Sequence, residues 1–274
     1  MIKNYFTKKS GFTLVELAIV LVIIGFIIGG VLVGKNMIRS SQVLAITADL
    51  QKFKAAVSMF QKKYNALPGD MYNAQNYWGS AANCTSDQTT LATCNGDGDG
   101  KIESNTASGA VGNENFLFWK HLANAELIKG SYVGRTDGSN AYSATERNSP
   151  QTKLKNSLWY TENFGTIPPS SDWAGSAFNG VYDHTLELGA YAANARPGNG
   201  IITANEAAAL DTKIDDGKPG TGKMLVKITW QLCTVKPGTS TSPTSAEYST
   251  AVYNFNGRSA STDNICILEF PMAY

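Results

Sequence analysis

Two places in this 274-residue chain carry side chains whose spacing could do chemistry. In the first, Asn95-Gly96-Asp97-Gly98-Asp99-Gly100-Lys101-Ile102-Glu103 sets oxygen-bearing side chains at alternate positions, then a Gly for a sharp turn and an apolar residue. That order reproduces about the first eight positions of an EF-hand loop, whose calcium ion takes six to eight hard oxygen ligands. Asn95, Asp97 and Asp99 would supply side-chain oxygens and Lys101 its backbone carbonyl. Thr106 stands where the loop's bidentate Glu belongs, so Glu103 or Glu114 must close the shell. Glu114 is preferred, because it begins a predicted helix and a helix start is a firm mount. The competing reading is an Asp-Gly turn that binds nothing.

The second place is a single carboxylate. Glu16 stands beside an uncharged apolar run from Leu17 to Gly34. The run is about 18 residues long, and counted from Phe12 it meets the ~20 residues that a helix needs to cross a bilayer. An ionised carboxylate near the membrane interior costs several kcal/mol and calls for a cationic partner. Lys3, Lys8 and Lys9 precede the run, so the positive-inside bias keeps the N-terminus cytoplasmic and sends the rest of the chain across. Ordinary signal cleavage is not expected: Ala45 and Ala48 follow Lys35 and Arg39 within a continuing helical pattern.

Gly11-Phe12-Thr13-Leu14-Val15-Glu16, behind the basic Lys8-Lys9-Ser10, resembles the prepilin signal of the type IV pilins and the type II secretion pseudopilins. The resemblance implies cleavage after Gly11 by a prepilin peptidase and methylation of the new amine on Phe12. It further implies that Glu16 pairs with the N-terminal ammonium of a neighbouring subunit during assembly. The implied partners are other pilin subunits, the peptidase, an inner-membrane assembly platform and membrane lipid. The implied location is the bacterial inner membrane, with the head in the periplasm and later in a periplasmic or cell-surface filament. Pilin-like proteins also use calcium to fix a loop, which favours the ion at Asn95–Glu103. The family often carries a helix-breaking Pro that is missing here between Phe12 and Tyr64. A pilus subunit is the first expectation; a secretion pseudopilin, or a minor or tip pilin acting in adhesion or DNA uptake, is the alternative.

A formal net charge of +1, with 16% charged residues and no long block of one sign, argues against a dedicated or sequence-specific nucleic-acid binder. Nor is an enzyme expected: His121 and His184 stand in no Gly-x-Ser-x-Gly or His-Glu-x-x-His motif. Gly217-Lys218-Pro219-Gly220-Thr221-Gly222-Lys223 has the outline of a phosphate loop, but Met224 replaces the Ser or Thr that would hold magnesium. It also follows a predicted helix and enters a predicted strand, the reverse of that motif's context. The preceding Asp211, Asp215 and Asp216 read as a structural turn, with a second cation site as the lesser reading. Cys84, Cys94, Cys233 and Cys266 all lie on the exported side. Of three possible pairings we expect Cys84–Cys94 and Cys233–Cys266, since each closes a segment rich in Ser, Thr, Gly and Asn that packing alone would hold poorly.

The elements that must position these groups follow from periodicity. Val43, Ile46, Leu50, Phe53, Val57, Phe60 and Tyr64 recur at alternating spacings of three and four, the stripe of an amphipathic helix that Pro68 and Gly69 terminate. The same stripe fits a coiled-coil seam, but the strands that follow favour packing within the chain. Gly25, Gly29, Gly30 and Gly34 offer small-residue spacings for close helix approach in lipid. Further helices are expected at Asn113–Lys129 and after the capping box Thr203-Ala204-Asn205-Glu206, running to Lys213. Strands are expected at Lys223–Leu232, Ala251–Asn256 and Ile265–Phe270, with surface loops at 131–150 and 236–247. The expected architecture is pilin-like α+β, a long N-terminal helix packed on an antiparallel sheet. Its parts are a cleaved leader at 1–11, a helix at 12–64 that is transmembrane over about 12–34, and a head at 65–274.

Overall fold

The computed structural model describes residues 11–104, 113–138, 141–167, 180–227, 233–235, 237, 250–255 and 264–272. Helix α1 spans Leu14–Tyr64, α2 Gln75–Trp78, α3 Glu114–Asn124 and α4 Ala204–Ile214. Strands β1 (Ser157–Ile167), β2 (Gly180–Ala190), β3 (Leu225–Val226) and β6 (Leu268–Met272) form an antiparallel sheet in the order β1-β2-β6-β3. A separate ribbon pairs β4 (Thr234–Val235) with β5 (Val252–Tyr253). The fold is α+β, as the sequence predicts. The chain forms two compact units, Met1–Gln42 and Val43–Tyr274, divided within α1.

In the first unit the apolar side chains from Phe12 to Ile38 are exposed. Helix α1 is the one described helix long and apolar enough to cross a membrane; its most apolar window has a mean hydropathy of 3.0, with none of it buried within the chain. A helix apolar all round belongs in lipid or in a core made by other chains. A Cβ added at Gly25, Gly29, Gly30 or Gly34 would meet nothing within 4 Å, so these glycines leave an open surface.

In the second unit the predicted stripe is the core. Val43, Ile46, Leu50, Phe53, Val57 and Phe60 are buried, and Phe53 meets Trp119 of α3 and Trp159 of β1 edge-on, with ring centroids 5.0 and 5.5 Å apart. Leu186, Leu188, Leu268 and Phe270 continue this core from the sheet. Helix α1 stops where Asn65 takes a left-handed φ of 51°, a conformation that Asn tolerates after a helix, and Pro68 follows. At α4 the capping box forms as predicted: Glu206 N donates to Thr203 Oγ1 at 3.2 Å and Thr203 N to Glu206 Oε2 at 2.9 Å.

The sheet itself departs from expectation. Its longest pair, β1 with β2, lies in sequence that does not alternate. The cross-strand row Tyr160–Glu187–Glu269 is buried, with Lys227 Nζ 2.7 Å from Glu187 Oε2, so charged residues occupy an interior face. Periodicity mistakes such a face for a solvated one. The strand expected at Ala251–Asn256 is instead β5 of the separate ribbon. The strand predicted at Lys223–Leu232 is described only as β3, with 228–232 outside the described residues, and the one predicted at Ile265–Phe270 is β6. Helix α3 is shorter than predicted, because Glu126 adopts φ 60° and breaks it before Lys129. Of the expected loops, 131–138 and 141–150 contain no helix or strand, and 236–247 lies almost wholly outside the described residues.

Candidate functional site

At the start of α1, Glu16 has a local partner, for Thr13-Leu14-Val15-Glu16 carries the same capping-box spacing as Thr203–Glu206. Thr13 donates to Glu16 Oε2 from both its backbone N and its Oγ1, each at 2.8 Å, and Glu16 N donates back to Thr13 Oγ1 at 3.2 Å. This reciprocal cap satisfies free N–H groups of the helix start but supplies no positive charge. The carboxylate and the apolar residues around it stay exposed within the single chain.

The segment 95–103 wraps around two carboxylates that come from elsewhere. Asp70, absent from the sequence pattern, accepts Gly98 N at 2.7 Å through Oδ1 and Gly100 N at 3.1 Å through Oδ2. Glu114, in the first turn of α3, accepts Asp97 N at 2.8 Å and Glu103 N at 3.2 Å. Within the loop, Asp97 Oδ1 accepts Asp99 N at 3.1 Å and Asp99 Oδ1 accepts Lys101 N at 2.8 Å. Carboxylate oxygens of Asp70, Asp97 and Asp99 lie within 4.8 Å of one another. Glu114 therefore anchors the loop, and Asp70 joins the oxygen cluster. Asn95 Oδ1 accepts Gln75 N at 2.9 Å, and the exposed Glu103 stands 3.9 Å from Lys101 Nζ. Thr106 lies outside the described residues.

Close backbone packing explains the glycines. A Cβ on Gly96 would meet the carbonyl oxygen of Gly69 at 2.3 Å and the backbone of Asp70 at 2.4 Å. A Cβ on Gly69 would meet the carbonyl oxygen of Glu114 at 2.4 Å, and the φ of +91° at Gly69 excludes most side chains as well. The three segments that carry the acids are stacked backbone on backbone.

Burial and mutual repulsion shape the charges. Burial, with the nearby Asp99 and Asp97 charges, pushes Asp70 up to about 6 against the two N–H donors. Burial also drives Glu114 up to about 8, again against two N–H donors and helped by Asp97 and Asp70. Among the described residues no ion pair reaches either carboxylate; Lys101 stays at the rim, 3.9 Å from Asp99 Oδ2. A bound divalent cation would reverse this local pKa logic.

His121, expected as a structural residue, clips the site together. Its Nδ1 accepts Gly69 N at 3.0 Å and its Nε2 donates to the carbonyl oxygen of Cys94 at 3.1 Å, so one neutral ring joins the backbone just before Asp70 to the backbone just before Asn95. The ring is fully buried and stacks with Trp78 at 5.5 Å and Phe60 at 6.4 Å between centroids. The Cys84–Cys94 disulfide closes the adjacent loop, and Cys233–Cys266 joins β4 to the residues before β6, both as predicted.

Burial lowers the His121 pKa to about 4, below the ~6.5 of an unfolded chain. The unfolded state alone takes up the proton between those values, so His121 favours folding above pH ~6.5, and this contribution, at most about 3 kcal/mol, fades as pH falls toward 4. Its ring-proton NMR shifts are expected to stay flat from pH 8 down to about 5; a midpoint near 6.5 would contradict this packing. His184 lies buried on β2, with its Nε2 3.5 Å from the Asn163 amide.

Comparison with known proteins bears on the N-terminal segment alone. No curated protein and no solved structure matches the chain. Residues 6–32, which hold Gly11, Phe12 and Glu16, match the model of the prokaryotic N-terminal methylation motif, so the chain carries the type IV pilin and pseudopilin signature.

Proposed function

We propose that this chain is a structural subunit of a type IV pilus-like filament. It is held in the inner membrane by α1, cut after Gly11 by a prepilin peptidase, methylated on Phe12, and assembled through its N-terminal helix. One observation carries the reading: the methylation motif opens a helix whose apolar residues from Phe12 to Ile38 find no cover within their own chain. Bilayer covers such a surface before assembly, and neighbouring helices cover it afterwards. Glu16 then takes the terminal ammonium of a neighbour as its counter-ion, replacing a cap that carries no charge. Mass spectrometry of protein from membranes and filaments is expected to find N-methylated Phe12 as the first residue. A mature chain that still begins at Met1, or that is cut elsewhere, would refute the assignment.

The head is large for an abundant filament subunit, which supports a minor or tip pilin as the second reading; a secretion pseudopilin shares the same N-terminal features. Deleting the gene and assaying surface pili and protein secretion separately distinguishes these systems.

For the head we propose a calcium site built from Asp70, Asp97 and Asp99 and the carbonyl of Lys101, with Glu114 holding the loop in place. All are hard oxygens, and three carboxylates provide the charge that calcium prefers. Saturating calcium is expected to raise the melting temperature of the full chain in detergent by roughly 5–10 °C, from the ~2.7 kcal/mol gained at a hundredfold excess over Kd. Asp97→Asn/Asp99→Asn should reduce that shift. An equal shift in this variant would remove calcium from the site.

A further inference from the structure

We infer that the turn after α4 is a second divalent-cation site, in which Asp211, Asp215 and Asp216 hold a calcium ion that ties α4 to the approach to β3. A carboxylate oxygen from each of these residues lies within 4.8 Å of the others. Carboxylate oxygens are the hard ligands that calcium takes, and calcium accepts the irregular geometry of a turn more readily than magnesium, which demands a near-ideal octahedron.

A cluster of acids on a surface would prove nothing, but Asp211 is not on the surface. It is fully buried; its Oδ2 accepts the Tyr253 hydroxyl at 2.7 Å, and its Oδ1 has no hydrogen-bond partner among the described residues. The nearby Gly217 N–H helps hold the ionised form, yet burial still raises the pKa to about 7. A buried carboxylate oxygen with no donor carries a desolvation penalty, which a metal ligand bond would relieve.

The surroundings are negative as well. The last carbonyls of α4 have no partner further along the helix, and its dipole places partial negative charge at this end. Asp215 and Asp216 add their carboxylates there, and neither pairs with a cationic side chain among the described residues. Donors to them are backbone and hydroxyl groups: Asp215 Oδ2 accepts Lys223 N, Asp216 Oδ1 accepts Lys218 N at 2.9 Å, and Asp216 Oδ2 accepts Thr221 Oγ1 at 2.6 Å. Gly222 packs so closely on the Asp215 carboxylate that a Cβ there would overlap it. The segment that outlines a phosphate loop in sequence thus folds its N–H groups onto its own aspartates. A phosphate would meet negative charge, and a cation would meet oxygens.

The test is calcium calorimetry on the full chain in detergent, after chelation, for the wild type, Asp97→Asn/Asp99→Asn and Asp215→Asn/Asp216→Asn. The first variant is expected to keep about one equivalent of calcium, and the second to lose that equivalent or bind it at least ~10-fold more weakly. Wild-type stoichiometry and affinity in the Asp215→Asn/Asp216→Asn protein would overturn the site, as would complete loss of binding in Asp97→Asn/Asp99→Asn. Undiminished binding in the latter, with loss in the former, would instead remove only the site at Asp70. Melting in chelator checks that the variants fold. Terbium added to Asp97→Asn/Asp99→Asn provides a second readout, since Tyr253 beside Asp211 should sensitise its emission; no emission would also overturn the site.

Discussion

Glu16→Ala is expected to cut recovery of this subunit in sheared filaments by at least ~100-fold, with membrane insertion and the fold of the head unchanged. Removing one member of a desolvated ion pair leaves the other charge buried and uncompensated, at a cost of roughly 3–5 kcal/mol, and ~1.4 kcal/mol corresponds to tenfold. The variant still has Thr13 as a helix N-cap, so loss of the local cap alone would fray the helix start without abolishing assembly. Glu16→Gln separates the two effects, because it can keep the hydrogen bonds but not the charge. Immunoblots of filament and membrane fractions provide the measurement. Wild-type recovery of Glu16→Gln would show that charge pairing does not drive assembly.

Phe53→Ala is expected to be the most damaging single change in the head. Its ring fits edge-on against both Trp119 and Trp159, so truncation opens a cavity where α1, α3 and β1 meet. Large-to-small changes at such sites cost about 3–5 kcal/mol, which lowers the melting temperature of a domain of this size by roughly 10 °C. Met59→Ala is the control, since Met59 is 56% exposed and its change should stay within about 0.5 kcal/mol. Equal melting of the two variants in thermal scans would place the core elsewhere.

Much of this is legible in the sequence. The N-terminal motif, the stripe from Val43 to Phe60, the Thr203–Glu206 cap and the Cys84–Cys94 pair depend on residues near one another in the chain or on one regular period, and Cys233–Cys266, 33 residues apart, is legible because four cysteines leave few pairings. Helix geometry converts such a period directly into a face. What escaped were features assembled from distant segments. Asp70 meets Gly98 and Gly100 across 28 and 30 residues, and His121 reaches Gly69 across 52. Strand β2 escaped in part because Glu187 pairs with Lys227 inside the head, and alternation reads every charge as solvent-facing.

Local chemistry thus settles how this protein begins: the signature, the apolar helix and the lone carboxylate are written in consecutive residues and keep their meaning without a fold. The head's acidic sites belong to tertiary structure. An acid becomes a ligand candidate through burial and through the oxygens packed beside it, and for Asp70 and Asp211 both arise only when glycine-backed turns, α3, α4 and β5 close around them.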